Sequence, residues 1–211
     1  MPTAIAMFGE ALRTHAGDFG IQLSEPLVEG LGRYYELLLK WNTRLHLVAP
    51  CSPEEFGTRH VLESLMLLQH FPTGAGVIDV GSGAGLPIVP CLIARPDLRA
   101  NVIESSQRKA VFLRRALREV KRDKQARLMV ARFEQTTAPQ ADFVTCRALD
   151  RFEKLLPALI DWAPPASRLL FFAGESLRRR IELLLPSAKA ERIPKSERRF
   201  LIIAPRDSGA V

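Results

Sequence analysis

Asp79, Gly81, Gly83, Gly85 and Glu104 are the residues whose types and spacing could do chemistry together. The three glycines stand at alternate positions directly after the short apolar run Val77-Ile78-Asp79-Val80. That pattern reads as a buried strand running into a tight turn. Pro87 suits a first helical turn, and Ile88, Val89, Cys91, Leu92 and Ile93 continue as an apolar helix. Glycine is wanted in such a turn because a missing Cβ permits positive φ and lets the backbone approach a ligand closely. Glu104 ends a second apolar run, Ala100-Asn101-Val102-Ile103, 21 positions after Gly83. Strand, glycine turn, helix, strand and terminal carboxylate together describe a nucleoside site in which the acid takes ribose hydroxyls.

The glycine spacing narrows the ligand. The dinucleotide fingerprint G-x-G-x-x-G needs a glycine at 86, where this chain has Leu86. Asp79 precedes the first glycine by two, and the resulting D-x-G-x-G-x-G resembles the first motif of the class I S-adenosylmethionine methyltransferases. That resemblance implies a cofactor turn built by Gly81, Ser82, Gly83, Gly85 and Leu86, passing under the methionine and ribose. Asp79 then holds the methionine ammonium or caps the glycine turn. A turn that merely connects strand to helix is the bland alternative.

Those residues need a scaffold, and the chain supplies one in alternating elements. Ser24-Glu25-Pro26 opens a helix to about Arg44, with Leu27, Leu31, Tyr34, Tyr35, Leu38 and Trp41 on its apolar stripe. A second helix is expected over 60–70, and one short helix before residue 20. Residues 1–72 read as an N-terminal helical extension, and 73–211 as the cofactor-binding domain. Beyond the glycine turn, helices at 107–122, 152–160 and 175–185 alternate with strands at 126–130, 142–146 and 168–172. Runs 189–193 and 199–204 supply a closing antiparallel pair. The expected fold is α/β: a class I methyltransferase (Rossmann-like), mostly parallel, seven-stranded sheet.

The charge points to a polyanionic partner. The 211-residue chain carries a net +7 and has a pI near 9.8. Arg108, Lys109, Arg114, Arg115, Arg118, Lys121, Arg122, Lys124 and Arg127 fall within 20 positions, against Glu119 and Asp123. Arg108, Lys109, Arg115, Arg118 and Arg122 are the candidate RNA contacts, although any one arginine alone also fits a solvated helix face. No apolar run approaches a membrane span, and no signal-peptide pattern opens the chain. Cys51, Cys91 and Cys146 are odd in number and far apart, fitting reduced thiols in a cytoplasm. His15, His46, His60 and His70 show no metal-ligand spacing, so no metal is expected, and the protein is read as a monomer.

Several short stretches, in order, resemble the bacterial small-subunit ribosomal RNA guanine-N7 methyltransferases of the glucose-inhibited-division B family. They are Trp41-Asn42 with Leu47, His60-x-x-Glu63-Ser64-Leu65, Asp79 through Pro87, Glu104-Ser105 followed by Arg108-Lys109 and Phe112-Leu113, Arg132-x-Glu134, and Cys146-Arg147-Ala148. The chain departs from the family pattern at His46, Val48 and Glu63, where asparagine, threonine and aspartate are usual. It reads Phe172-Ala173-Gly174 where Lys-Gly is usual. The resemblance implies S-adenosyl-L-methionine as cofactor, and small-subunit (16S) ribosomal RNA or the 30S particle as partner. It also implies that the loop of Arg132, Phe133 and Glu134 borders the adenine, although a surface helix start explains those residues nearly as well.

Guanine N7 is already a lone-pair nucleophile, so its methylation needs alignment more than proton removal; alignment supplies roughly 7 to 11 kcal/mol in favourable cases. The chain accordingly lacks the D/N-P-P-Y/F loop shared by enzymes acting on exocyclic amines. Arg147 is the candidate catalytic residue beside the cofactor, because a guanidinium can hold a phosphate or the guanine O6 and N7 edge. A salt bridge to Asp150 is its alternative. Cys146 reads as a small packed side chain rather than a cytosine-type nucleophile. His60 and Asn42 read as interhelical hydrogen bonders, and Arg178, Arg179 and Arg180 as a solvated face. A small-molecule methyltransferase and a non-catalytic RNA- or ribosome-binding protein that kept this fold are the two rival functions.

Overall fold

The structure, a computed structural model, describes residues 2–206. Met1 and 207–211, the outer ends of the two expected units, lie outside the described residues. Helix α1 (Ala4–His15) is capped by the Thr3 hydroxyl, and α2 (Glu25–Leu45) ends where His46 turns left-handed at φ 48°. Next comes one continuous helical stretch of changing pitch. It runs through α3 (Pro53–Glu55), a π-helical segment (Phe56–Leu62), α4 (Glu63–Leu65) and a 3-10 segment (Met66–His70). The expected start at 60 is therefore too late. Ser52 is the true cap, its hydroxyl accepting from the Glu55 N–H at 3.0 Å, with Pro53 in the first turn and two acids behind it.

The remaining elements alternate as the pattern requires: β1 (Gly76–Val80), α5 (Ile88–Ala94), β2 (Arg99–Ile103), α6 (Gln107–Glu119), β3 (Ala126–Met129), β4 (Phe143–Arg147), α7 (Phe152–Trp162), β5 (Arg168–Gly174), α8 (Glu175–Leu184), β6 (Lys189–Arg192) and β7 (Arg199–Pro205). They form a seven-stranded sheet in the order β3-β2-β1-β4-β5-β7-β6. Strand β7 inserts antiparallel between β5 and β6. Val77 lies opposite Ala100 on one side and Phe143 on the other, which makes β1 an interior strand beside the central β4. Strand order reverses between β1 and β4, and a ligand crevice belongs outside the carboxyl ends of the strands at that point.

Two apolar layers cover the sheet. On one face Phe8, Leu12, Leu31, Tyr34, Phe56, Leu62, Leu92 and Phe112 form a single core cluster, so the N-terminal helices share a core with α5 and α6. Phe8, Tyr35 and Phe56 stack at centroid separations of 4.5 and 4.6 Å, and Trp41 meets Phe112 at 5.9 Å. On the other face Val144, Leu156, Leu159, Phe171 and Ile181 bury α7 and α8. Fully buried Tyr34 donates its hydroxyl to the Ala84 carbonyl at 2.7 Å. Helix α2 is thereby tied directly to the glycine turn.

Candidate active site

The turn after β1 is held from below. Gly81, Gly83 and Gly85 all take positive φ, at 71°, 55° and 86°. The N–H groups of Gly81 and Ser82 both donate to the Ile103 carbonyl, at 2.9 and 3.2 Å, which stitches the turn to the end of β2. Two of the three glycines have no room for a side chain. A Cβ on Gly81 would stand 2.6 Å from Leu149, and one on Gly85 2.6 Å from Val89.

Asp79 lies wholly inside this turn. Its carboxylate accepts from the Thr145 hydroxyl at 2.8 Å and from the Ser82 hydroxyl. Burial pushes its pKa up to about 7, against the two hydroxyl contacts that lower it, while the charge of Glu104 adds to the rise. Of the two roles open to Asp79 in the sequence, this geometry gives it the turn cap. Glu104, also buried, accepts from the Gly83 N–H at 2.8 Å and the Ser106 N–H at 2.7 Å. Each of its oxygens keeps a second acceptor position. The carboxylate thus fixes the turn to the loop before α6 and retains the capacity to take a hydroxyl.

Beside this turn a cleft of about 290 Å³ opens at the carboxyl ends of the strands. Gly81, Arg132, Phe133 and Glu134 line it, as do Ile103, Leu149, Asp150 and Leu155. The structure therefore gathers four of the expected site residues round one opening. Asp79, Ser82, Gly85 and Leu86 lie buried beneath it as foundation. Arg132 precedes a short 3-10 turn (Phe133–Gln135), so the helix-start reading of this loop is also met. Phe133 is fixed edge-on against Trp162, with centroids 5.5 Å apart. Leu149, Asp150 and Leu155 escaped the sequence reading, since no motif marks the loop after β4.

Arg147 points elsewhere. It does not line the cleft, and its partner is Glu63 rather than Asp150, which stands 97% exposed. Arg147 Nη2 donates to the Glu63 carboxylate at 3.0 Å and to the Arg59 carbonyl at 2.6 Å, and its guanidinium lies 5.0 Å above the Phe172 ring. Glu63, with a side chain 2% exposed, also accepts from Arg199 Nη1. The π-helical pitch exposes that Arg59 carbonyl, because the Glu63 N–H reaches five residues back to Thr58. Burial lowers the Arg147 pKa from its ordinary value, and Nη1 is buried with no partner among the described residues. His60 lies against this group, its Nδ1 3.5 Å from Arg147 Nη2. Burial first, then Arg147, Arg59 and Arg199, push its pKa down to about 3, so the ring is neutral. Motif reading missed Arg199, and it marked Glu63 only as a position in a family stretch, without its two arginine partners. An acid inside the apolar run Val61-Leu62-Glu63-Ser64-Leu65 was the available signal.

The remaining candidates divide. Cys146 is fully buried and its thiol is pushed well up by that burial, as a packed side chain would be. Asn42 clamps its own chain rather than a second helix, exchanging two hydrogen bonds with the Val48 backbone at 3.0 and 3.1 Å. Arg108 and Arg118 are exposed on α6 and Lys109 is half-buried, while Arg115 pairs with Glu119 at 2.8 Å. Arg122 is half-buried. Its Nε donates to the Leu92 carbonyl at 2.7 Å, pinning the turn after α6 to α5, so part of its guanidinium is already engaged. Arg178 and Arg179 pair with Glu175 along α8. Among the described residues, no cluster of metal-ligating side chains occurs, and no helix is long and apolar enough to cross a membrane.

Residues 27–200 match a family model described as GidB, rRNA small subunit methyltransferase G. The ribosomal RNA small subunit methyltransferase G of Nitrosomonas europaea is 38% identical over 156 residues, 71% of each chain. Two solved structures share the fold. An RNA methyltransferase from Salinibacter ruber in complex with S-adenosyl-L-homocysteine matches at a TM-score of 0.55 and 14% identity, covering 78% of this chain and 97% of that one. An O-methyltransferase from Bacillus cereus in complex with SAH matches at 0.57 and 15%, covering 82% and 90%.

Proposed function

We infer from the rRNA small subunit methyltransferase G family, to which this chain belongs, that it transfers a methyl group from S-adenosyl-L-methionine to guanine N7 of small-subunit (16S) ribosomal RNA. The observation that carries this reading is the glycine turn locked to Glu104 beside the cleft at the strand-order reversal.

The residues round the cleft fit the cofactor chemically. Gly81 presents bare backbone to the cleft beside Leu149, where a Cβ would not fit. Ile103, Phe133, Leu149 and Leu155 offer apolar walls to an adenine, Glu104 offers acceptors to ribose hydroxyls, and Glu134 and Asp150 place carboxylates on the rim for a cationic ligand. Bound there, S-adenosyl-L-methionine supplies an electrophilic methyl on a positively charged sulfonium. The chain's own task is alignment, because N7 carries no proton to remove. Arg147 cannot grip N7, whose lone pair must attack. Its Nη2 is already committed to Glu63 and the Arg59 carbonyl and its unpartnered Nη1 is buried, so a contact to guanine O6 or an adjoining phosphate requires the guanidinium to shift towards the base. His60, held neutral, adds no further charge beside the base. Buried Cys146 forms no bond to the base in this scheme.

The reading takes residues 1–72 as a helical extension to the cofactor domain 73–211, and places the protein in the cytoplasm with its ribosomal substrate, consistent with three free thiols. The test is transfer of labelled methyl groups to small subunits and their naked RNA from a strain lacking the enzyme, followed by nucleoside analysis. Labelled 7-methylguanosine is expected. Cofactor binding without any label in RNA overturns the assignment and identifies a non-catalytic or small-molecule role.

A further inference from the structure

The basic run that looks like one surface in the sequence is two surfaces in the fold. Arg108 and Lys109 stand in the first turn of α6, close after the cleft-lining Ser105. Lys124 and Arg127 lie past the other end of α6, about 20 Å further along at 1.5 Å per residue. There they join a cation from a different part of the chain. Arg99, Lys124 and Arg127 line a groove of about 340 Å³ at the amino ends of β2 and β3, with Asn101 and Gln125 between them.

Two features make this groove a site for an anion. The three cations are exposed, and none has an ion pair or side-chain hydrogen bond among the described residues. The one acid lining the groove, Asp97, is already engaged by Arg95 at 2.7 Å and by the Gly74 N–H at 2.8 Å. The groove also shares a sheet face with the cleft. Arg99, Asn101 and Ile103 alternate onto one side of β2, and Ile103 lines the cleft, so the two openings are about 13 Å apart.

We propose that the groove of Arg99, Lys124 and Arg127 binds the phosphodiester backbone of the RNA substrate at a point away from the target base. This inference rests on the RNA-methyltransferase reading above. The edge position of β3 leaves the groove open along its length, as a chain-like ligand requires. Phosphates supply the negative charge that the three unpaired cations lack. The groove adds affinity for extended RNA and leaves the chemical step alone.

The experiment compares the full-length protein with its Arg99→Gln/Lys124→Gln/Arg127→Gln variant, and with Arg179→Gln/Arg180→Gln/Lys189→Gln as a control that removes equal charge from another face. Naked small-subunit RNA is the probe, with KM, kcat, cofactor affinity, thermal midpoint and the salt dependence of binding as readouts. In the groove variant KM for RNA should rise by about an order of magnitude, and the slope of log K against log salt should become shallower by about 2 to 3. Its kcat, cofactor affinity and thermal midpoint should match the control. Lys124→Gln alone, in an exposed turn, should flatten the slope by about 1. A groove variant indistinguishable from the control overturns the proposal while wild-type RNA methylation stands. Wild-type protein that neither binds nor methylates the RNA overturns the parent reading as well.

Discussion

Glu63 is the buried charge that holds Arg147 and Arg199, and its removal should be costly. Its side chain is 2% exposed and faces two cations, Arg147 at 12% and Arg199 at 31%. After Glu63→Ala, Arg199 can turn to water, whereas Arg147 is left with the Arg59 carbonyl, the Phe172 ring and no counter-charge. Stranding one buried charge costs about 3–5 kcal/mol, a large share of the roughly 5–15 kcal/mol of a typical domain. For a chain of this size that lowers the thermal midpoint by roughly 6–20 °C. Glu63→Gln keeps one acceptor oxygen and should lose about 1.5–3 kcal/mol, the worth of one charged hydrogen bond.

The assay is thermal unfolding followed by circular dichroism, in a double-mutant cycle with Arg147→Met. Removing both partners removes the stranded charge, so the double variant should recover much of the Glu63→Ala loss, with a coupling of about 2 kcal/mol or more. A Glu63→Ala loss below about 1 kcal/mol, or strictly additive losses in the cycle, would refute the reasoning. Either result would mean that water already solvates Arg147.

Three further outcomes follow from the same site. His60 has its pKa depressed to about 3, so its contribution to stability is present above its unfolded value near 6.5 and lost as pH falls towards 3. Asp79, raised to about 7, acts in the opposite sense: its contribution is present below about 4 and lost as pH rises through 7, by at most roughly 4 kcal/mol. His60→Gln and Asp79→Asn should each flatten their own part of the stability–pH curve, and curves parallel to wild type would rule the assignments out. Gly81→Ala must either hold φ 71° or push Leu149 into the cleft. It should weaken cofactor binding, measured by calorimetry, more than it lowers stability, whereas Gly85→Ala, clashing with Val89 in the core, should do the reverse. Arg122→Ala should cost about 1–2 kcal/mol in a denaturant titration because it frees the Leu92 carbonyl, while Arg118→Ala should leave stability within about 0.5 kcal/mol.

What the sequence makes legible here is local. The glycine turn, Glu104 and the alternation of strands and helices are readable because each is carried by neighbours a few positions apart, with period and turn chemistry to mark them. The start of the helical stretch at Ser52-Pro53-Glu54-Glu55 was equally available as a cap, but its weak apolar periodicity drew the boundary to 60. The partner of Arg147 could not be read in the same way. Glu63 is 84 positions away and Asp150 only three, yet Arg147 at the carboxyl end of β4 meets the helical layer and pairs with Glu63 there. Arg122 belongs to the same class. Its place among basic neighbours suggests a solvent face, and only the approach of α5 shows that its guanidinium closes a backbone carbonyl.

These long-range contacts change what the N-terminal helices are for. A purely appended layer would touch the cofactor domain through apolar surface alone. Here α2 bonds the Ala84 carbonyl within the glycine turn through Tyr34, and the π-helical stretch and α4 hold Arg147 through the Arg59 carbonyl and Glu63. One contact shapes the glycine turn and the other holds Arg147, from residues that do not line the cleft. The wider π pitch is what frees the Arg59 carbonyl, so a change that restores regular α pitch there would draw that carbonyl back into the helix and release Arg147. Deleting one residue from Phe56–Leu62 should therefore lower methyl transfer more than cofactor affinity. Equal loss of both would mean that the helices merely support the fold.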